Sequence, residues 1–240
     1  MVSATSDAAP TAERAARPGL ITVAPRGAAR GVVLLAHGGR EHSAARDSHA
    51  RPPALRMLPF LGDIARAGRR RGLAVAQLRY RVVGFNDGDP VRDMHWALDR
   101  LAERFEAPAC LIGHSMGGRA AVLAAAHPSV AAVAGLATWA PGGDPVAQLS
   151  GRTLMLVHGT RDSVTDPARS YALALRARSV ASRVCRFEIA GARHAMLDRP
   201  RLWHELTRDF ALQSLGLAPL QGRLDDAFTL DGEPACRVTL

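Results

Sequence analysis

The chain has 240 residues, of which 48% are hydrophobic and 22% charged, a balance that excludes a fibrous or wholly disordered protein. No apolar run reaches the ~20 residues that a membrane-spanning helix needs. The net charge is +9, and all 31 basic residues are arginine. Together with the abundance of alanine, this indicates a codon bias rather than a binding face, so we expect neither nucleic acid nor a membrane as partner.

Residues 1–18 are rich in Ala, Ser, Thr and Pro, and predict a flexible leader without the apolar segment of a secretory signal. Cys110, Cys185 and Cys236 are odd in number and widely spaced, which fits neither a disulfide framework nor a metal knuckle. We therefore expect a cytoplasmic protein without a bound metal.

After the leader, short apolar runs alternate with segments of helical spacing. The runs predict strands at 20–24, 32–36, 73–78, 109–112, 130–137, 153–157 and 184–189. The helical segments fall at 57–65, 89–105, 116–126, 166–178 and 200–215, with Asp89 and Asp166 as N-caps before prolines. This alternation predicts an α/β fold, a mostly parallel central sheet with helices on both faces.

The predicted domain covers residues 19–217, and residues 218–240 form a tail of different character. In the tail, apolar segments at 227–230 and 236–240 flank the sequence Asp-Gly-Glu-Pro, a pattern compatible with a terminal hairpin.

The segment Gly113-His114-Ser115-Met116-Gly117 follows a strand and opens a helix, which is the context of a G-x-S-x-G nucleophile elbow. The turn is so sharp that side chains at Gly113 and Gly117 would clash. Ser115 would then project above the sheet edge, at a helix N-terminus that favours developing negative charge. The motif predicts Ser115 as a nucleophile.

A serine hydroxyl needs a base, and the base needs an orienting carboxylate. Asp162 follows the strand at 153–157 in the block His-Gly-Thr-Arg-Asp, and His194 follows the strand at 184–189. Both lie beyond the carboxyl ends of strands, where open parallel sheets bind ligands. Asp166 is a rival acid, although its place before a proline is better explained by helix capping.

These motifs make the chain resemble the α/β-hydrolases, near the serine esterases and the dienelactone-hydrolase-like proteins. The resemblance implies a catalytic triad of Ser115, Asp162 and His194. It also implies an oxyanion hole made by the backbone N–H groups of Met116 and Gly39. Dienelactone hydrolases use a Cys nucleophile where this chain has Ser, which argues against that particular activity.

The resemblance implies a serine hydrolase that cleaves small carboxyl esters through an acyl-enzyme and uses no cofactor. A thioesterase or acyltransferase with the same triad is the alternative enzyme. A non-catalytic binding module on a hydrolase scaffold is the alternative of another class, and the complete triad argues against it. The partner is a small acyl substrate, and the oligomeric state is not predicted.

Many α/β-hydrolases carry a helical lid between the strands that correspond to 130–137 and 153–157. Here residues 140–151 alone connect these strands, so we expect no lid and an open site. His37 is expected to fix the oxyanion turn through side-chain hydrogen bonds, and His114 and His158 to be packing residues. Four arginines near the site either attract an anionic substrate or form solvated surface: Arg40, Arg79, Arg81 and Arg119.

Overall fold

A computed structural model describes residues 17–240, so the predicted leader at 1–18 lies outside the described residues except for its last two. Eight strands form one sheet in the order β1-β3-β2-β4-β5-β6-β7-β8. The strands are β1 (Gly19–Val23), β2 (Gly31–Ala36), β3 (Leu73–Arg79), β4 (Ala109–His114), β5 (Val130–Leu136), β6 (Thr153–Gly159), β7 (Arg183–Ile189) and β8 (Val238–Thr239). Only β1 pairs antiparallel among them, at one edge of the sheet beside β3.

Six α-helices are present in the described part of the chain and cover both faces of the sheet. They are α1 (Pro52–Gly68), α2 (Asp89–Phe105), α3 (Met116–Leu123), α4 (Pro167–Ala177), α5 (Pro200–Ser214) and α6 (Arg223–Thr229). Alternate residues of each strand point to opposite faces: Leu34 belongs to the core under α2, α3 and α4, and Val33 to the core under α1 and α5. The predicted α/β fold with helices on both faces is confirmed.

Several helix boundaries differ from the sequence prediction, and α1 extends beyond the predicted 57–65 at both ends. The helix expected at 116–126 is α-helical only to Leu123 and ends in a 3-10 turn over Ala124–Ala126. Asp89 does not cap α2, because Gly88 occupies the N-cap and Asp89 is the first helical residue. The side chain of Asp89 instead accepts hydrogen bonds from Asn86 and Arg92.

The hairpin predicted for the tail is wrong. The segment expected as its first strand lies on α6, where Leu224 and Ala227 are spaced for one helical face and are buried. The second segment forms β8, which pairs with β7 in parallel and extends the sheet. The side chain of Arg186 is fully buried, and its guanidinium donates to the carbonyl oxygen of Cys236 at 3.1 Å. This hydrogen bond holds the segment of chain just before β8.

The helices of the described chain include none with the length and apolar character needed to cross a bilayer. The carboxyl ends of the parallel strands β2, β4, β6 and β7 lie along one edge of the sheet. The four loops that follow them carry the residues singled out in the sequence.

Candidate active site

The nucleophile elbow is visible in the backbone of Ser115, whose φ of 55° and ψ of −118° leave the strand abruptly before α3 begins. A Cβ on Gly113 would lie 2.1 Å from the carbonyl oxygen of Gly117, and a Cβ on Gly117 would lie 2.5 Å from that of Ala36. Only glycine fits at either position, as the sequence predicted. Other contacts hold this strained turn in place. The N–H of Ser115 donates to the carbonyl oxygen of Leu136 on β5 at 2.9 Å.

The structure brings Asp162 and His194 together. Nδ1 of His194 lies 2.8 Å from Oδ2 of Asp162, and the hydrogen lies on Nδ1 because an ionised carboxylate can only accept. Asp166, the rival acid, accepts the N–H of Ala168 as the N-cap of α4. The geometry therefore supports Asp162 as the partner of the histidine.

Two further side chains contact the same carboxylate. The hydroxyl oxygen of Thr165 lies 2.9 Å from Oδ2 of Asp162 and 3.1 Å from Nδ1 of His194. Nε2 of His158 lies 3.2 Å from Oδ2 of Asp162 and 3.1 Å from the carbonyl oxygen of Thr165, so this nitrogen carries a hydrogen. Sequence reasoning overlooked Thr165; its place three residues after an aspartate in a turn was the available signal.

These contacts decide the charge of Asp162. Burial alone would raise the pKa of the carboxyl group. The hydrogen bonds from His158 and His194, with those from the backbone N–H groups of Thr165 and Val164, outweigh burial and hold the pKa well below its ordinary value. Asp162 is therefore ionised throughout the neutral range.

His194 is held beside the elbow by His114. Nε2 of His114 lies 3.0 Å from the carbonyl oxygen of His194, and the two ring centroids are 4.8 Å apart. His114 was expected only to pack, so this hydrogen bond corrects that expectation. Within residues 17–240, Ser115 Oγ makes no hydrogen bond to the His194 ring; such bonds commonly form only when substrate binds.

The loop after β2 runs against Ser115. A Cβ on Gly38 would lie 3.2 Å from Cβ of Ser115. The N–H of Arg40 donates to Val83 at 3.0 Å, whereas the N–H of Gly39 meets no acceptor among the described residues. Met116 is the first residue of α3, so its N–H has no acceptor within the helix. Gly39, which lies against the Met116 side chain, and Met116 therefore both keep a backbone donor without an acceptor among the described residues.

His37 fixes this loop through side-chain hydrogen bonds, in agreement with the sequence analysis. Its Nε2 lies 2.9 Å from Oδ2 of Asp47, and its ring packs edge-on against Tyr80. The hydroxyl of Tyr80 in turn donates to the carbonyl oxygen of His37 at 3.2 Å. The backbone and the side chain of His37 are therefore both held.

Arg119, on α3, links this helix to the short connection between β5 and β6. Its guanidinium donates two hydrogen bonds to Asp144, at 2.7 and 2.9 Å. It also lies over the rings of Phe85 and Trp139, 4.0 and 4.5 Å from their centroids. This connection contains a single 3-10 turn, Ala147–Leu149, among its described residues and forms no lid.

Three of the four arginines near the site have protein partners. Arg119 binds Asp144, Arg81 is paired with Asp93, and Arg79 donates to the carbonyl oxygens of Tyr80 and Arg17. These guanidiniums are engaged in the fold, which favours a structural role over the attraction of an anionic substrate.

The cysteines are remote from this chemistry. Cys110, Cys185 and Cys236 are all buried and free. Burial raises the pKa of Cys110 to about 12, so this residue stays a thiol. In residues 17–240, no group of three or more His, Cys, Asp or Glu side chains is arranged as a metal site.

Comparison with protein-family models and with curated protein sequences finds no match. Comparison with solved structures finds an esterase, Est2, from Thermogutta terrifontis, with 16% identity, a TM-score of 0.62, and coverage of 85% of this chain and 92% of that one. An α/β serine hydrolase homologue from Coxiella burnetii has 18% identity and a TM-score of 0.60, with 80% and 90% covered. A serine hydrolase without a lid from Xanthomonas campestris has 16% identity and a TM-score of 0.58, with 85% and 91% covered.

Proposed function

We propose that this chain, which has the α/β-hydrolase fold, is a serine hydrolase that cleaves small carboxyl esters. The observation that carries the proposal is the 2.8 Å contact between Asp162 and His194, on the loops after β6 and β7, at the same edge of the sheet as the Ser115 elbow after β4. The structural neighbours named as esterases and serine hydrolases support the same reaction class.

In the proposed acylation step, Ser115 Oγ attacks the ester carbonyl carbon while its proton passes to Nε2 of His194. Asp162 keeps Nδ1 protonated, which leaves Nε2 free to act as the base. The carbonyl oxygen becomes an oxyanion, and the N–H groups of Gly39 and Met116 would stabilise it. In other hydrolases, each such donor stabilises the transition state by about 3 kcal/mol.

The tetrahedral intermediate then collapses, and the imidazolium of His194 gives its proton to the departing alkoxide, which leaves as the alcohol. Water attacks the acyl-enzyme in the second half of the reaction, with His194 again taking the proton. The acid is released, and Ser115 regains its hydrogen from Nε2. No cofactor enters either half-reaction of this proposal.

The proposed substrate is a small, soluble acyl ester, because the connection over residues 140–151 contains a single 3-10 turn, Ala147–Leu149, and forms no lid. Val164 and Leu197, on the loops that carry Asp162 and His194, are 70% and 71% exposed. These two side chains offer an apolar rim rather than a deep groove, which suits short acyl or alcohol groups.

Replacement of Ser115 by Ala tests the proposal. Hydrolysis of p-nitrophenyl acetate should fall by about 10⁶-fold in kcat, since the nucleophile is lost. The matched control is Ser179→Ala, an exposed serine that bonds only to the carbonyl oxygen of Arg176, and it should keep the wild-type rate. Thermal unfolding of both variants should match the wild type.

A wild-type rate in Ser115→Ala would eliminate the serine mechanism. Faster turnover of thioesters than of matched oxygen esters would assign a thioesterase. Absence of labelling by a fluorophosphonate probe in the wild-type protein would point to the non-catalytic binding module.

A further inference from the structure

Both ring nitrogens of His37 face oxygen atoms. Nδ1 lies 2.7 Å from the carbonyl oxygen of Gly38, and Nε2 lies 2.9 Å from Oδ2 of Asp47. The His37 residue is buried, with 2% of its surface exposed, so water does not supply either nitrogen with another partner. The hydrogen positions on this ring can therefore be worked out from the two partners.

A carbonyl oxygen has no hydrogen to give, so Nδ1 must be the donor to Gly38. Asp47 Oδ2 also accepts the N–H of Tyr80, at 3.0 Å. Burial would raise the pKa of Asp47, but its hydrogen bonds, among them those from the backbone N–H groups of Ser48 and Tyr80, lower it overall. An ionised Asp47 can only accept, so Nε2 must carry a hydrogen as well. A neutral imidazole has one N–H, and this ring needs two.

We propose that Asp47 holds His37 as a buried imidazolium, and that its Nδ1–H polarises the peptide group between Gly38 and Gly39. The carbonyl oxygen of that peptide belongs to Gly38 and its N–H to Gly39. The N–H is the donor assigned to the oxyanion hole, so the catalytic part of the inference rests on the proposed function.

The polarisation follows from how a peptide group responds to hydrogen bonds. A donor on the carbonyl oxygen draws electron density through the amide and makes the N–H of the same group a stronger donor. A charged donor has about twice the effect of a neutral one. His37 thus places a fixed positive charge one peptide group behind the position where the substrate oxyanion develops.

Two other titratable groups near the His37 ring, Tyr80 and His49, are neutral in the neutral pH range. Burial raises the pKa of Tyr80 well above its ordinary value, so its hydroxyl stays neutral. Burial, and then the charge of Arg79, lower the pKa of His49, which keeps that ring neutral in the same range. Asp47 is the charged group in contact with the His37 ring.

The charge can be read directly by ¹⁵N NMR of the histidine rings in the wild-type protein, at about pH 7.5. Both His37 nitrogens should carry hydrogen there, and in Asp47→Asn one should lose it. A wild-type spectrum with one unprotonated His37 nitrogen would overturn the imidazolium. This readout needs no activity, so it stands or falls separately from the proposed function.

The catalytic effect is read from kinetics with p-nitrophenyl acetate. In Asp47→Asn, kcat should fall about tenfold at unchanged KM, because a weaker donor affects only the transition state. His37→Asn offers a neutral amide to the same carbonyl and should lose a similar factor. The matched control is Asp99→Asn at the exposed pair of Asp99 with His127, 3.2 Å apart, and it should keep the wild-type kcat.

A loss confined to KM, or a wild-type kcat in Asp47→Asn and His37→Asn, would overturn the polarisation of the Gly39 donor. If the wild-type protein hydrolyses no ester, the proposed function fails, while the ring-nitrogen measurement still decides the charge of His37.

Discussion

The carbonyl oxygen of His194 accepts a hydrogen bond from Nε2 of His114, the residue that precedes Ser115. The loop after β7 is therefore tied to the elbow after β4, although β5 and β6 separate these strands in the sheet. The bond requires His114 to donate from Nε2. Burial, followed by the proximity of His194, lowers the pKa of His114 to about 3, so the ring is neutral in the working range.

This buried histidine should make the fold acid-sensitive. Between pH 6.5 and about 3 the unfolded chain binds a proton at His114 that the folded chain does not, so stability rises with pH and is lost as pH falls below 6.5. The slope should be about 1.4 kcal/mol per pH unit. Urea unfolding between about pH 6 and 4 should show this slope reduced in His114→Gln.

The ionised Asp162 affects stability in a different pH range. Its lowered pKa adds stability that is present above pH 3.8 and lost as the pH falls below that value. Asp162 therefore does not change the slope of stability against pH above about pH 4. The control is His42→Gln, which alters a histidine whose side chain is 79% exposed. Equal slopes in wild type and His114→Gln would contradict the assignment of the acid sensitivity to His114.

The two candidate acids should respond very differently to amide substitution. Asp162→Asn leaves His194 free to adopt the wrong tautomer and should lower kcat by about 10⁴-fold. Asp166→Asn keeps a capping oxygen for Ala168 and should leave kcat within about twofold of the wild type. Esterase assays on both variants decide the matter, and the reverse order of effects would move the acid to Asp166.

Much of this architecture could be predicted from the sequence, because Ser115, Asp162 and His194 each follow an apolar strand of recognisable length. Short apolar runs predicted β2, β4, β6 and β7, and the parallel pairing of these strands brings the loops to one edge of the sheet. The contacts of Thr165 and His114 with His194 could not be predicted in the same way. These contacts depend on how two loops far apart in the chain approach each other, and local spacing contains no information about that distance.

The tail shows a second limit of local patterns. Apolar residues at 227–230 suited a strand as well as the end of a helix, because a four-residue run is too short to distinguish the two periods. The outcome depends on long-range contacts, since β8 forms only where β7 presents a free edge. The interaction of Arg186 with the carbonyl oxygen of Cys236 is such a contact.

Thr165 should matter as a positioning residue. Thr165→Val keeps the shape of the side chain and removes the hydroxyl that contacts Asp162 and His194, so kcat should fall about tenfold. Thr165→Ser should recover most of the rate. Thr229→Val is the matched control, because that hydroxyl bonds only to the carbonyl oxygen of Asp226. An unchanged kcat in Thr165→Val would remove Thr165 from the site.

The Arg119 contacts should stabilise the connection between β5 and β6. Arg119→Lys loses the two-pronged bond to Asp144 and the stacking on Phe85 and Trp139. We expect the free energy of unfolding in urea to fall by about 1–2 kcal/mol. Arg100→Lys, at the exposed ion pair with Glu103, should change it by less than about 0.5 kcal/mol. Equal losses in both variants would show that Arg119 is an ordinary surface residue.

The uncovered site should limit the length of the acyl chain. A lid supplies apolar surface and excludes water when it closes, and residues 140–151 offer only one 3-10 turn for that purpose. The exposed Val164 and Leu197 can cover the first carbons of a chain, and each further CH₂ left in water forgoes about 0.8 kcal/mol of binding. The ratio kcat/KM should therefore rise over the first few carbons of the acyl chain and then level off.

The series from acetate to palmitate, measured below and above the solubility limit of each ester, checks this. Below that limit, kcat/KM should stop rising after the first few carbons, and Leu197→Ser should lower it more for butyrate than for acetate. Leu230→Ser is the control, since Leu230 is 40% exposed after α6 and lies near Arg183, at the end of β7 opposite to the loop that carries His194. A rate that climbs toward palmitate, or jumps when droplets form, would require an apolar groove that closes over Ser115.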